Sequence, residues 1–403
     1  MFLLRIRFVL LLVLLVVLPL VISTQVFAAP KPSVKPIHSR MLVRFAPEVD
    51  KKAAAERQQG RIIAEIPGIN VSVLDIEGSE EEAIRKLSGE KIEYIEPDAL
   101  ASTLTTNDPL YSSQWALPKI SWDKLDVTAS AFNPADPAVE VAVVDTGVDY
   151  THPDLTGKVD TAKDKDFVNN DDDAMDDNLH GTHVAGIAAA NTNNNVGVAG
   201  VSINTAKILP IKVLDQSGSG YYSWVASGIV YAADQGAKVI NLSLGGNVRS
   251  TTLENAVNYA WNKGVVVVAA AGNSNNSSKT YPGAYPNAMA VWASDQNDNK
   301  ASFSSYGSWV DVGAPGVSIL STIPLTKDTK DGNQDGYYLG SGTSMATPYV
   351  AGLAGLLFSQ HSDWSASAVR NKIESTADPV GGRLYKRGNL GKGRINVFKA
   401  VTQ

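Results

Sequence analysis

Three short runs of the chain are almost continuously apolar. They lie at 139–144, 238–243 and 265–269. Two longer stretches, 223–235 and 251–264, carry apolar residues at every third or fourth position. Continuous apolar runs are typical of parallel strands covered on both faces, and the wider spacing is typical of amphipathic helices. From about Asn107 onward, the sequence therefore predicts an α/β domain with a mostly parallel central sheet between two layers of helices.

The helical pattern at 251–264 carries its own start and stop signals. Thr251 precedes Glu254 by three residues, which is the spacing of a capping box, and Gly264 follows the last turn. The sequence therefore predicts a helix that Thr251 caps and that ends before Gly264.

A separate, smaller segment at 39–97 shows the order β-α-β-β-α-β. The predicted strands are 41–45, 61–66, 71–75 and 92–96. The first predicted helix covers 50–59, and the second begins after Ser79, has three glutamates in its first turn, and ends at Gly89. This order fits a small α+β ferredoxin-like sandwich. Taken alone, such a fold could also be a binding module.

The first 28 residues have the pattern of a secretory signal peptide. Two arginines precede an apolar run at 8–22, and a small-residue cleavage pattern ends at Ala28. An uncleaved membrane anchor is the alternative, but the run is short for a span and contains Pro19. Since no second long apolar stretch follows, we expect a secreted, extracellular protein with no membrane association after signal cleavage.

Composition excludes several classes of function. Of 403 residues, 44% are hydrophobic and 19% are charged, which is typical of a globular protein. The formal charge of −6 argues against a nucleic acid as partner. Because the chain has no cysteine, it can hold no disulfide, cysteine nucleophile or cysteine-based metal site.

Polar residues of catalytic type follow the three apolar strands. Asp145 ends the run at 139–144, Ser243 ends the run at 238–243, and Asn273 follows the run at 265–269. Because functional groups collect at the carboxyl ends of the strands in open α/β sheets, we expect these side chains to lie near one another.

A nucleophile and a base can be added to this set. Ser344 lies where a helix begins, which suits a nucleophile but also an ordinary helix-start serine. His180 and His183 open a helix rich in small residues. Asp145, one of these histidines and Ser344 together offer an acid, a base and a nucleophile. Residue types alone do not choose between the two histidines. A metal site at this pair lacks the glutamate of a zincin motif.

Three motifs identify a family. They are Asp-Thr-Gly at 145–147, His-Gly-Thr-His-Val-Ala-Gly at 180–186 and Gly-Thr-Ser-Met-Ala-Thr-Pro at 342–348. With the similarity from Asn107 to the carboxyl end, they resemble the subtilisin-like serine peptidases (the subtilase family), in particular its thermitase-like members. The resemblance implies a subtilisin-like fold, His180 as the catalytic base, Asp145 as its partner and Ser344 as the nucleophile. It also implies that Asn273 and the Ser344 backbone N–H bind the oxyanion.

The resemblance extends to domains and substrates. After the signal peptide predicted at 1–28, it implies an inhibitory propeptide at 29–103 and a catalytic domain at 104–403, with the propeptide as an intramolecular inhibitor. We expect a monomer that cleaves proteins and peptides with broad specificity and a preference for apolar or aromatic residues before the scissile bond. The implied substrate-binding residues are Gly218, Ser219, Gly220, Ser243, Leu244, Gly245, Gly272 and Thr280.

Structural calcium is expected at two places. From its pattern, the acidic run at 166–173 could be a solvated loop, but the resemblance implies a calcium loop there, with Met175 where the family has a further oxygen ligand. Its implied ligands are Asp166, Asn169, Asp171 and Asp173. The second implied site consists of Asp108, Asp154, Asn191, Asn194, Val196 and Val198.

Two other functions compete with a secreted, calcium-stabilised serine endopeptidase. A catalytically inactive calcium-binding or surface-interaction protein could use the same fold, but an inactive relative would be expected to lack part of the set around Ser344. A lipase or esterase is disfavoured because Ala346 stands where a nucleophile elbow has glycine, and because the order is Asp, His, Ser.

Overall fold

The computed structural model describes residues 38–98, 106–133, 139–329 and 332–403. The described residues form two compact units, one within Met1–Ser102 and the other within Thr103–Gln403. The predicted signal peptide at 1–28 and the predicted boundary between 103 and 104 lie outside the described residues. Within the described ranges, no helix combines the length and apolar character that a membrane span needs.

The first unit is a four-stranded antiparallel sheet with two helices, in the predicted order. Its elements are β1 His38–Phe45, α1 Lys51–Arg57, β2 Gly60–Ile66, β3 Val71–Glu77, α2 Glu80–Leu87 and β4 Ile92–Pro97. The strands lie in the order β2-β3-β1-β4. Met41, Phe45 and Leu74 of the sheet pack against helix residues such as Ala54 and Leu87. The Ser79 hydroxyl and the Glu82 side chain form the reciprocal capping box at the start of α2.

The second unit contains a larger sheet and a separate pair of strands. Its strands are β5 Val139–Asp145, β6 Lys165–Asp166, β7 Ala206–Lys212, β8 Val239–Leu242, β9 Val266–Ala270, β10 Ala288–Ser294, β11 Val312–Pro315, β12 Ile319–Thr322 and β13 Tyr337–Gly340. Its helices are α3 Ala116–Lys119, α4 His180–Ala189, α5 Tyr222–Asp234, α6 Thr251–Asn262, α7 Thr343–Gln360, α8 Ala366–Ser375, α9 Arg383–Lys386 and α10 Val397–Thr402. Seven strands form a parallel sheet in the order β11-β10-β9-β8-β5-β7-β6, while β12 and β13 form an antiparallel pair.

Helices cover both faces of the parallel sheet, as predicted. On β5, Val141 and Val143 belong to the core shared with α4 and α7. The alternate residues Ala142 and Val144 belong to the core shared with α5 and α6. Every residue of β5 is therefore buried, which explains why this strand is apolar up to Asp145 except at Glu140, which forms an ion pair with Lys163.

The start of α6 differs from the prediction by one residue. The cap is Ser250, whose hydroxyl oxygen accepts the Leu253 N–H at 3.3 Å, and Thr251 is the first helical residue. Glu254 forms an ion pair with Arg249 instead of completing a capping box. The prediction of Thr251 as the cap was wrong because a second capping residue, Ser250, precedes it.

Candidate active site

Three adjacent strands deliver polar residues to one edge of the sheet. Asp145 is the last residue of β5, Ser243 follows β8, and Asn273 lies three residues beyond β9. Since β9, β8 and β5 are neighbours in a parallel sheet, their carboxyl ends meet at this edge. Helix α4 begins beside it at His180.

Asp145 and His180 form a direct pair. His180 Nδ1 lies 2.7 Å from Asp145 Oδ1, and the Thr146 N–H donates to the same oxygen at 2.8 Å. Asp145 is fully buried, whereas the His180 side chain is 27% exposed. The start of α4 can lie close to the segment that follows β5 because position 181 is glycine. A Cβ at this position would lie 2.0 Å from the Gly147 carbonyl oxygen.

The Asp145 carboxylate controls the basicity of His180. Desolvation lowers the pKa of His180, but the charge of Asp145 and its hydrogen bond, with a smaller contribution from Asp176, outweigh it. The pKa of His180 therefore lies above the ordinary histidine value. An imidazole of this kind accepts a proton more readily than a free histidine.

His183, the other candidate base, lies in a different environment. It is 1% exposed, and its Nε2 lies 3.1 Å from the Ile319 carbonyl oxygen and 2.9 Å from the Tyr338 carbonyl oxygen. Burial lowers its pKa to about 4. His183 therefore joins α4 to β12 and β13, and of the two histidines only His180 lines the cleft described below.

Ser344 is the second residue of α7 and lines the same cavity as His180. Its hydroxyl donates to the Ser243 carbonyl oxygen at 2.9 Å rather than to His180. In enzymes without substrate, catalytic hydrogen bonds are often long or unformed, so this geometry is compatible with transfer of the serine proton to His180.

A proline in α7 explains a second bond between Ser243 and Ser344. Pro348 has no N–H and cannot donate to the carbonyl oxygen of Ser344, four residues earlier. The Ser243 hydroxyl donates to that oxygen instead, at 2.8 Å. The start of α7, which carries Ser344, is thereby joined to the residue that follows β8.

Thr343 fixes the orientation of the Asn273 amide. The Thr343 N–H and the Thr343 hydroxyl both lie 2.9 Å from Asn273 Oδ1. A backbone N–H can bond only to an acceptor, so the oxygen of the amide faces Thr343 and Nδ2 remains as a donor on the other side. Asn273 and Ser344 line a common cavity, in which this N–H could meet a developing oxyanion.

Two adjoining cavities form a cleft around Ser344. The first has a volume of about 570 Å³, and the second about 390 Å³. The first contains the expected residues Gly218, Ser219, Gly220, Ser243, Leu244 and Gly245. The second contains Leu244, Gly245, Gly272, Asn273 and Thr280. Lining residues that the sequence analysis missed include Asn178, Leu214, Tyr222 and Val225, although Val225 lies on the helix predicted at 223–235.

Asp108 and Asp154 are enclosed by the loop at 191–198. Asp108 accepts the Asn193 and Asn194 N–H groups at 2.9 and 3.0 Å, and Asp154 accepts the Val198 N–H at 2.8 Å. Burial raises the pKa of both carboxyl groups, that of Asp154 to about 6. Two neighbouring buried carboxylates fit a cation, because they otherwise repel each other across a poorly solvated space.

The acidic loop at 166–173 is arranged differently. Asp166 accepts the Val168 and Asn169 N–H groups, and the Asn169 side-chain amide donates to it at 2.8 Å. Asp173 accepts the Met175 N–H and the Tyr150 hydroxyl. Across the described ranges, no three Asp, Glu, His or Cys side chains converge where they could hold a metal. To bind a cation, this loop would need oxygens from Asn side chains or the backbone, and the carboxylates of Asp166 and Asp173 would have to rotate away from their present hydrogen-bond partners.

Comparison with known proteins gives two family matches and close relatives. The subtilase family matches residues 136–394, and the fervidolysin N-terminal prodomain matches 25–98. A thermophilic serine proteinase of Bacillus sp. (strain AK1) is 48% identical over 378 residues, which cover 91% of this chain and 88% of that protein. Thermitase of Thermoactinomyces vulgaris is 53% identical over 303 residues, which cover 74% of this chain and 99% of thermitase.

Solved structures show the same fold. Fervidolysin from Fervidobacterium pennivorans, a keratinolytic enzyme related to subtilisin, matches with a TM-score of 0.64 and 30% identity, over 92% of this chain and 62% of fervidolysin. A protease from Pseudoalteromonas arctica matches with a TM-score of 0.63 and 32% identity, over 74% of this chain and 99% of that protease. With a catalytic unit and an N-terminal prodomain both matched, the chain belongs to the subtilase family of serine endopeptidases.

Proposed function

We propose that the chain is a secreted, calcium-stabilised serine endopeptidase, made as a self-processing precursor, with Asp145, His180 and Ser344 as its catalytic triad. The observation that carries this proposal is the 2.7 Å contact between Asp145 and His180 on a cleft that also contains Ser344 and Asn273. His180 takes the Ser344 proton as Oγ attacks the scissile carbonyl carbon. Asp145 holds the imidazole by its Nδ1–H and stabilises the imidazolium cation.

The negative oxygen formed by this attack needs donors that are already in place. Asn273 Nδ2 and the Ser344 backbone N–H are the two proposed donors. Collapse of the tetrahedral intermediate releases the amine, which takes the proton from His180, and leaves Ser344 acylated. Water, deprotonated by His180, then hydrolyses this acyl-enzyme.

Substrate is proposed to bind as an added strand. Gly218–Gly220 and Ser243–Gly245 offer two backbone edges, so that main-chain hydrogen bonds give affinity with little dependence on sequence. The cavity beside Asn273 is proposed to take the side chain before the scissile bond. Because Ser274 in its lining is uncharged, broad specificity with an apolar or aromatic preference is expected. A peptide panel with strong preference for Lys or Arg at this position would contradict it.

Calcium is proposed as a structural ion. The Asp108–Asp154 pocket supports it best, through its two buried carboxylates, with oxygens of Asn191, Asn194, Val196 and Val198 completing the set. The loop with Asp166, Asn169, Asp171 and Asp173 is proposed as a further site on family resemblance. A bound cation would relieve the carboxylate repulsion and stabilise the native state.

One experiment tests most of this proposal. The purified protein and a digested protein substrate are analysed by mass spectrometry, which gives the mature amino terminus and the cleavage preference together. Self-processing predicts a new terminus near residue 104 in the wild type and an uncut precursor in Ser344→Ala. Processing of Ser344→Ala in a host without other proteases would contradict the role of Ser344.

A further inference from the structure

Asp176 belongs by sequence to the acidic stretch before α4, but its carboxylate is turned away from that loop. It is 3% exposed and accepts four hydrogen bonds. Oδ1 accepts the Asn178 N–H at 2.9 Å and the Thr146 hydroxyl at 2.8 Å. Oδ2 accepts the Thr182 N–H at 2.9 Å and the Thr182 hydroxyl at 2.6 Å.

These four bonds connect the two segments that carry the acid and the base. Thr146 directly follows Asp145, and Thr182 lies in the first turn of α4, two residues after His180. The Thr146 hydroxyl oxygen also accepts the Gly181 N–H at 2.9 Å. One carboxylate therefore joins the end of β5 to the start of α4, at the point where the Asp145–His180 distance is set.

The donors to Asp176 are backbone amides and hydroxyls, which carry no charge. Burying an ionised carboxylate is unfavourable, and here burial raises the pKa of Asp176. A neutral side chain could connect the end of β5 to the start of α4 at a lower desolvation cost. The negative charge of Asp176 does act on His180, however, because it contributes to the raised pKa of that imidazole. The other titratable groups that face His180 are Asp145, on β5, and His183, on α4.

We propose that Asp176 is a positioning residue for catalysis: it fixes the Asp145–His180 geometry and adds negative potential at the imidazole. The inference rests on the proposed role of His180 as general base. Displacement of a catalytic group by about 1 Å can lower the rate by about 100-fold. Loss of the Asp176 charge should therefore act on turnover, while the substrate edges at Gly218–Gly220 and Ser243–Gly245 stay in place.

The test variant is Asp176→Asn, and the matched control is Asp126→Asn. Asp126 likewise accepts the N–H and the hydroxyl of a threonine, Thr128, but it is exposed and does not line either cavity of the cleft. Full-length chains are expressed and matured, and active enzyme is counted with a fluorophosphonate. For Asp176→Asn we expect kcat to fall about 10- to 100-fold at nearly constant KM. The acid limb of kcat/KM should move to lower pH, and the control should match the wild type in both.

A second pair of variants keeps the inference testable if Asp176→Asn does not mature. Thr146→Val removes one donor to Asp176 and the acceptor for Gly181, and it should lower kcat. Thr146→Ser keeps the hydroxyl and should recover most of that loss. A wild-type kcat and acid limb in Asp176→Asn, or equal losses in both Thr146 variants, would overturn the positioning role. Full activity in Ser344→Ala, measured alongside, would instead overturn the proposed function.

Discussion

The proposed oxyanion role of Asn273 can be separated from its bond to Thr343 by two substitutions. Asn273→Asp keeps an oxygen for the Thr343 N–H and hydroxyl, each 2.9 Å away, but replaces the Nδ2 donor by a second acceptor. Asn273→Ala removes the donor and also leaves the Thr343 N–H without its acceptor. The two variants thus share the loss of the oxyanion donor and differ in the bond to Thr343.

The expected magnitudes follow from the bonds that each variant loses. One oxyanion donor contributes about 3 kcal/mol, a value obtained with a related subtilisin, which corresponds to about two powers of ten in kcat. Because this donor acts on charge that develops only in the transition state, KM should hardly change. In Asn273→Ala the unpaired Thr343 N–H should additionally lower stability, by about 1–3 kcal/mol if it stays buried.

Steady-state kinetics with a peptide ester or anilide, together with thermal melting, give the required measurements. We expect kcat to fall at least as far in Asn273→Asp as in Asn273→Ala, since a carboxylate oxygen repels the oxyanion. Melting should be lowered mainly in Asn273→Ala. If Asn273→Asp kept nearly full kcat, Asn273 would serve only to hold Thr343, and the oxyanion assignment would be refuted.

Three further predictions concern Asp145, the proposed calcium and Met345. In Asp145→Asn, kcat should fall by about 10⁴-fold. Because the charge that raises the pKa of His180 is lost, the acid limb of kcat/KM should also move to lower pH. An unmoved limb would argue against His180 as the base. Removal of calcium with a chelator should lower the melting temperature of the mature enzyme, and identical melting curves with and without chelator would refute structural calcium. Peroxide should partly inactivate the enzyme by converting Met345, which adjoins Ser344, into a polar sulfoxide, whereas Met345→Ala should resist, and equal sensitivity would exclude this cause.

The parallel sheet could be predicted because burial on both faces leaves a continuous apolar run. Val139–Asp145 is such a strand apart from Glu140, and its last residue is the acid beside His180. β11 could not be predicted in the same way, since Val312–Pro315 is short, contains a glycine and a proline, and lies at the end of the strand order, next to β10. The Ser250 cap was missed because Thr251 offered an equally suitable signal one residue later.

The site was predictable where chemistry follows from residue type and motif. The choice between His180 and His183 came from the family motif; in the structure, their difference arises from the packing of β12 and β13 against His183. Asp176 could not be distinguished from the acidic residues before it, because its partners Thr146 and Thr182 are brought to it by the fold. Contacts of this kind leave no spacing signal in the sequence.

The central claim is that Ser344 is a nucleophile activated by His180. The most direct test is to treat the protein with a fluorophosphonate and locate the adduct by peptide mapping with mass spectrometry. We expect one adduct per molecule, on Ser344, formed much more slowly in His180→Ala and absent in Ser344→Ala. An unlabelled wild-type protein, or an adduct on another residue, would contradict the claim.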